Sequence, residues 1–387
     1  MDYNTDIRFN KSPKGADIRV VGVGGCGGNA IINMIAAGVQ HVGFIAANTD
    51  AQDLEKNTAN IDKILLGKDI THGRGAGMDP EVGKKTALAT SELISETMSG
   101  ADMIFITAGM GKGTGTGASP VIAAIAKDLD ALVVAVIVMP MKYMGKPILA
   151  KAELGLKELI EHVDSYIVLD ADRIVDVIDK NATVKQAFEI IDNVLVQAVK
   201  CISETVHNIG HINSDFNDIK TIMLSQGPAL MGMGTATGDN RAKEAFEKAL
   251  KSPLLADCDI SSAHGALLAV TAAEDDFRFI EFTDIMGLLQ ENVGENTIVS
   301  QSLVFDARTD GSITVSLIVT GIKKMNTHRS SEVISLIDYK KGKKKDNNII
   351  VNNMQKITKL NKDIQSFDDY NTDEAGNLPT YLRKQLD

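Results

Sequence analysis

Apolar and polar positions follow two periods along the chain. Between Asp17 and Ala171, short runs rich in β-branched residues recur: IRVVGV (18–23), VGFIAANTD (42–50), MIFITAG (103–109), ALVVAVIVMP (131–140) and SYIVLDA (165–171). Their length and near-continuous apolarity are those of strands buried on both faces. After the first comes IINMIAAG, and after the third SPVIAAIAKDL, in which apolar residues return every three or four positions. Strands alternating with helices predict an α/β fold, a parallel sheet covered on both sides with right-handed crossovers. From Thr183 to His207 a wide apolar stripe runs through Ala187, Ile190, Ile191, Val194, Leu195, Ala198, Val199 and Ile202. It predicts one long helix buried between two bodies. Beyond it lies a second α/β pattern: TIMLSQGPALMG, the helix NRAKEAFEKALKS, the strand HGALLAVTAA, the helix FTDIMGLLQENV, and the strands TIVSQSLVFD and SITVSLIVTG. The last two runs are separated by Ala-Arg-Thr-Asp-Gly, which reads as a hairpin in a mixed or antiparallel sheet.

Regular patterning stops near Gly321. The expected organisation is a loose arm over 1–15, an α/β domain over 16–182, the long helix and its following loop over 183–220, a smaller α/β domain with a mixed sheet over 221–322, a polar linker over 323–376 and a short apolar-aromatic tail over 377–387. The tail, NLPTYLRKQLD, reads as a partner-binding peptide on a flexible tether.

Composition changes this picture in three places. With 44% hydrophobic and 24% charged residues among 387, wholesale disorder is excluded. The longest apolar run, Ala131 to Met139, is too short for a membrane span, and the polar start MDYNTDIRFN does not read as a signal peptide. Cys26, Cys201 and Cys258 are too scattered for a disulfide framework, so a reducing, cytoplasmic setting is expected. The net charge of −11 argues against nucleic-acid binding. It is also uneven: residues 323–366 carry +7 and the remainder −18.

The candidate chemistry lies in glycine loops. Gly22-x-Gly24-x-x-Gly27 follows a strand and opens a helix, where backbone N–H groups can approach phosphate; tight strand–helix packing is the alternative role for that spacing. GMGKGTGTG (109–117) again lies between strand and helix, and its alternating glycines form a nest for an anion. It lacks the Gly-Lys-Ser/Thr ending of a P-loop. Two such loops on neighbouring strand ends point to a nucleoside triphosphate across the sheet edge. GRGAGMDP (73–80) could reach the terminal phosphate, and Asn48, Thr49 and Asp50 are placed to touch ribose, phosphate or a metal-bound water. A Rossmann oxidoreductase would use only the first loop.

GMGKGTGTG is very similar to the GGGTGTG signature of the tubulin/FtsZ superfamily. GGCGGN, NTDAQ, GAGMDPEVG, ITAGMG and NSDFNDIKTIM resemble the FtsZ family in order and spacing, and LPTYLRKQ resembles its tail peptide. The resemblance covers residues 16–322 and the last ten or so. It implies a Rossmann-like GTPase domain, a central helix, a smaller C-terminal α/β domain and a filament-forming GTPase of bacterial cell division. On this sequence it implies that Gly25, Cys26, Gly27, Gly28 and Asn29 form the first phosphate loop and that Gly113, Thr114 and Gly115 hold phosphate in the signature loop. Phe188 would stack on guanine and Asp192 would accept its N1 and N2 hydrogens. Asn213, Asp215 and Asp218 would act on the nucleotide of the next subunit in a head-to-tail homopolymer. The bare sequence allows Phe188 to be a core residue and the acid pair to be a helix cap. GTP and GDP are the implied ligands, with magnesium expected to neutralise the triphosphate; no protein side chains are assigned to a metal. Membrane-tethering adaptors of the FtsA or ZipA kind are the implied partners of the tail, with no direct membrane insertion, and a cytoplasmic midcell ring is the implied location.

Against the family pattern, Met144 stands where an acid meets ribose, Ile148 where an arginine approaches phosphate, Ala171 where an asparagine meets the base, and Lys112 where the signature has glycine. Lys112 or Lys146 could supply the missing positive charge. These departures also admit a second reading, a noncatalytic or weakly catalytic paralogue that co-assembles with or regulates division filaments.

Overall fold

A computed structural model describes residues 15–56, 61–175, 182–207, 215–224, 227–252, 255, 258–306 and 309–322. The arm, the linker and the tail expected from the sequence lie outside the described residues. The strands are β1 (Ile18–Val23), β2 (Val42–Asn48), β3 (Asp62–Leu65), β4 (Met103–Gly109), β5 (Leu132–Met139), β6 (Ser165–Asp170), β7 (Gly227–Thr237), β8 (Gly265–Ala272), β9 (Ile298–Phe305) and β10 (Ser312–Thr320). The helices are α1 (Gly24–Ala36), α2 (Ala51–Lys56), α3 (Lys68–Thr71), α4 (Pro80–Ala89), α5 (Ser91–Met98), α6 (Thr114–Asp128), α7 (Lys146–Ile160), α8 (Ala171–Val175), α9 (Val184–His207), α10 (Phe216–Met223), α11 (Arg241–Leu250) and α12 (Phe279–Asn292).

All these strands form one sheet in the order β3-β2-β1-β4-β5-β6-β7-β10-β8-β9. The first six are parallel to their neighbours, as the alternating pattern predicts. Alternate residues feed two faces. Ile18, Val20, Met103, Phe105, Leu132 and Val134 join the core beneath α1 and α9, while Val21, Ile104, Ile106 and Val133 are equally buried on the other side. That double burial explains why these strands read as unbroken apolar runs.

The long helix is present as α9, and Ile191, Leu195, Val199 and Ile202 of its stripe are buried against the sheet. At about 1.5–3 kcal/mol per large aliphatic side chain, that stripe outweighs the helix propensity of its β-branched residues. α9 ends at His207, whose ring stacks on His41 at 5.3 Å and whose Nε2 lies 2.9 Å from the Ala16 carbonyl oxygen just ahead of β1. The same core continues under the second half through Ile219, Met223, Met231, Leu267 and Ile318. A separate core lies between α11, α12 and the other face of that half, around Phe246, Ile285, Leu268 and Leu317.

Three expectations need correction. The hairpin between TIVSQSLVFD and SITVSLIVTG does not form. β9 pairs in parallel with β8, whereas β10 lies antiparallel between β7 and β8. The half-sheet is therefore mixed, and β10 is central: seven of its nine residues are buried or nearly so, which suits its apolarity better than a place at the edge. The run TIMLSQGPALMG divides between the end of α10 and the start of β7. Finally, both glycine loops enter their helices earlier than expected. α1 starts at Gly24 rather than near Ile31, and α6 at Thr114 rather than Ser119, so most of each glycine segment is the first turns of a helix.

A cavity between two helix N-termini

β1 and β4 are adjacent, but the chain runs from β1 outward to β2 and β3 before returning to β4. This is a topological switch point, where an open parallel sheet leaves a crevice beyond its carboxyl ends. The register sets Val23 opposite Ala108, so the segments after β1 and β4 leave the sheet side by side. Beyond them lies a cavity of about 570 Å³, walled also by the segments that follow β2 and β5.

Glycine is required where these segments meet. Gly24 has φ +71°, and a Cβ there would lie 3.2 Å from the backbone nitrogen of Gly115. Gly111 has φ +101° and backs onto Ile148. The Gly111 N–H donates to Thr116 Oγ1 at 2.8 Å, which folds the second loop into the first turn of α6. The N-terminal turns of α1 and α6 thus face one space, offering unpaired backbone N–H groups and positive dipole ends to an anion.

The polar wall is built after β2. Asn48 donates its Nδ2 hydrogen to Asp53 Oδ2 at 2.9 Å, and Lys56 Nζ lies 2.7 Å from Asp53 Oδ1. Thr49 and Thr114 share a hydrogen bond of 2.7 Å between their hydroxyls, tying that wall to the start of α6. Asp50 Oδ1 accepts the Gln52 N–H at 3.0 Å, fixing its carboxylate at the head of α2. On α9, Asp192 Oδ2 accepts from Asn33 Nδ2 at 2.9 Å; burial raises its pKa, Glu189 adds to the rise and Asn33 opposes it. Cys26 is pushed up to about 12, first by burial and then by Asp192, while Lys112 pulls it down. It is a neutral thiol at physiological pH and packs against Gly109.

Of the residues singled out in the sequence, Gly25, Cys26, Asn29, Gly113, Thr114, Gly115 and Asp192 line this cavity. Gly27 does not: a Cβ there would lie 2.5 Å from the Thr107 carbonyl oxygen and 2.6 Å from Gly22 C, so it permits α1 to pack on β1 and β4. Gly28 instead borders a small adjoining crevice with Asn29 and Asp53. Phe188 belongs to α9, but its side chain lies outside the described ones, as does the whole of Asn213. Asp215 and Asp218 are exposed at the head of α10 and are absent from the cavity wall. Asp215 is the N-cap of α10, its Oδ1 accepting the Asp218 N–H at 2.8 Å.

The divergent positions do belong to the wall: Met144, Ile148, Ala171 and Lys112 all line it, and Lys146 does not. Gly75, Ala76 and Met78 of the third glycine stretch line it as well. Asp53 was not signalled as a site residue. Its only sequence cue is its place three residues after Asp50 in NTDAQD, too little to announce a wall position.

A switch-point cavity that faces two helix N-termini and two glycine segments is the arrangement of a nucleotide-binding α/β protein. The profile of the Tubulin/FtsZ family GTPase domain matches residues 17–179, and that of the FtsZ family C-terminal domain matches 227–323. The chain is 42% identical over 310 residues to the cell division protein FtsZ of Azotobacter vinelandii, covering 80% of this chain and 78% of that one. It is 40% identical over 384 residues to FtsZ of Wigglesworthia glossinidia brevipalpis, with 96% and 97% covered. An empty FtsZ dimer from M. jannaschii superposes with a TM-score of 0.76 at 38% identity, over 80% of this chain and 89% of that one. The chain belongs to the FtsZ family of tubulin-like GTPases.

Proposed function

We propose that this FtsZ-family cell-division GTPase hydrolyses GTP only where two copies meet head to tail, each supplying half of the reacting site. The observation that supports this most directly is a separation. The cavity has the features of a nucleotide cradle, while Asp215 and Asp218 are exposed at a helix head outside its wall. A contact that joins one copy's acids to another copy's cavity is heterologous, so it propagates as a filament.

In this reading the backbone N–H groups of Gly25, Cys26 and Asn29 and of Gly113, Thr114 and Gly115 hold the phosphates, and Gly27 and Gly28 shape the turn of α1 that presents them. Phe188 stacks on the base. Asp192 accepts two hydrogen bonds from guanine N1 and N2, a donor pair adenine does not present. Asn213, Asp215 and Asp218 of the neighbouring copy orient and polarise a water. That water attacks the γ-phosphorus as the bond to the β–γ bridging oxygen breaks, leaving GDP and inorganic phosphate. The carboxylate of Asp50 and the hydroxyls of Thr49 and Thr114 are hard oxygen donors of the type magnesium takes alongside phosphate oxygens. Magnesium would supply charge neutralisation there. The division into a nucleotide-binding domain over 16–182, a helix and catalytic loop over 183–220 and a C-terminal domain over 221–322 follows the same reading. Residues 377–387, on the basic linker 323–376, bind membrane-tethering adaptors of the FtsA or ZipA kind, which places the filament in a cytoplasmic ring at midcell. The alternative of a noncatalytic paralogue gains no support from the relatives.

The test is phosphate release measured against protein concentration, on the full chain and on a chain ending at residue 376. A rate that rises more steeply than linearly, and alike for both chains, is the expected result. Strict proportionality to concentration would show that each protomer is complete by itself.

A further inference from the structure

We propose that Lys112 is the cation that pairs with the outer phosphates of the bound nucleotide, making this chain's affinity depend on phosphate charge more than on sugar contacts. This rests on the reading of the cavity as a GTP site.

The charge inventory of the wall leads there. Among the described residues, the charged side chains lining the cavity are Asp50, Asp53, Asp192 and Lys112. A triphosphate entering this space meets three carboxylates and one ammonium. Asp53 is already matched by Lys56, and Asp192 is held by Asn33. Lys112 is exposed and makes no hydrogen bond or ion pair among the described residues. Its neighbours on both sides are glycines, Gly111 at φ +101° and Gly113, which have no side chains to compete for the same space. It stands one residue before the cap of α6.

Lys112 lines the same cavity as Gly25 and Cys26 in the first turn of α1 and Gly113 and Thr114 at the start of α6, and its charge acts on the Cys26 thiol. Each helix end contributes only about half a unit of positive charge, far less than a triphosphate carries. The wall also contains Met144, Ile148 and Ala171, which have neither charge nor side-chain hydrogen bonds to give. Lys146 is not part of the wall, so among the described residues Lys112 is the basic side chain that lines it. An ammonium is a flexible point charge, suited to phosphate oxygens generally and not to one bidentate geometry.

The experiment is calorimetric titration of the full chain with GTP and with guanosine, at low and high potassium chloride, for the wild type, Lys112→Gln and Lys112→Arg. Losing one charge-assisted contact should weaken GTP binding by roughly tenfold to a hundredfold. Guanosine binding should stay unchanged, the salt dependence of GTP binding should flatten, and Lys112→Arg should bind GTP nearly as the wild type does. Equal GTP affinity in Lys112→Gln and wild type would overturn the proposal. So would a proportionate loss for guanosine, which would mean a damaged cavity. A wild-type chain that binds no GTP at all would instead sink the reading on which this proposal rests.

Discussion

Asp215 holds α10 in place as well as carrying a carboxylate. By capping the helix through the Asp218 N–H it contributes about 1 kcal/mol of stability, independent of any chemistry. Replacing it with alanine removes both cap and charge, whereas asparagine keeps a capping oxygen. Asp215→Ala and Asp215→Asn should therefore both abolish GTP hydrolysis with nucleotide binding intact, but only the alanine variant should lose stability. Thermal melts beside phosphate-release assays separate the two contributions. If Asp215→Asn hydrolysed GTP normally, the acid would be a cap and nothing more. At this scale the sequence is informative wherever a residue acts through a contiguous motif, as Gly25, Thr114 and Gly115 do. It is silent on Asp53, whose place depends on Asn48 and Lys56 closing around it. It also left Lys112 and Lys146 as equals, because choosing between them needs the fold of the β4–α6 segment.

Among the elements, α1 shows how one glycine-rich stretch serves two purposes. Gly27 lies where the helix meets β1 and β4, and an added methyl group would press on the Thr107 carbonyl and on Gly22. Gly28, the next residue, has nothing within 4 Å of where its Cβ would be. Gly27→Ala should destabilise the chain by about 2 kcal/mol or more through overpacking. Gly28→Ala should stabilise it by roughly 0.5–1 kcal/mol through helix propensity. Denaturant midpoints for the two variants test this, and equal effects would contradict the packing described. The sequence signature does not distinguish these neighbours, since one spacing satisfies both a phosphate cradle and a tight crossing. Several helices were also missed as elements. α4 begins at Asp79-Pro80, with Asp79 accepting the Glu81 N–H at 3.0 Å, a start signal hidden inside what reads as a glycine loop. α7 follows Gly145 with Pro147 in its first turn. Its buried positions, Ala152, Gly155, Leu156 and Leu159, keep helical spacing, but two of the four are small, so its apolar stripe is narrow.

At the scale of the whole molecule, strand order is the part that sequence does not reach. Strand identities other than the short β3 follow from local patterning, but β9 and β10 are separated in the sheet by β8 because pairing is decided by which faces each strand must bury. The second half is held together partly by charge. Arg241 on α11 is buried, donates to Glu281 on α12 and to the Gly311 carbonyl ahead of β10, and pairs with Asp276. Arg241 lowers the Glu281 pKa from 4.5 to about 2, burial opposes that shift, and Arg278 assists it. The folded state therefore holds this proton more weakly than the unfolded chain, so the stabilisation is complete above about pH 4.5 and disappears as the pH falls toward 2. Glu281→Gln should cost about 3 kcal/mol at neutral pH and flatten the acid limb of the stability curve. An unchanged slope between those two pH values would refute the assignment.

The ladder between β6 and β7 spans only Ser165–Ile167 against Gly227–Ala229, and its middle partner, Pro228, has no amide hydrogen to give. Neighbouring ladders run to between six and nine residue pairs. Apolar packing along α9 and α10 also bridges the two sides, with side-chain hydrogen bonds at Thr205–Ser302 (2.9 Å) and from Thr320 to the Ile222 carbonyl (3.0 Å). A polymer built from this chain would repeat that sparsely bonded seam once per subunit, with the fewest inter-strand hydrogen bonds between the parallel and the mixed half of each sheet.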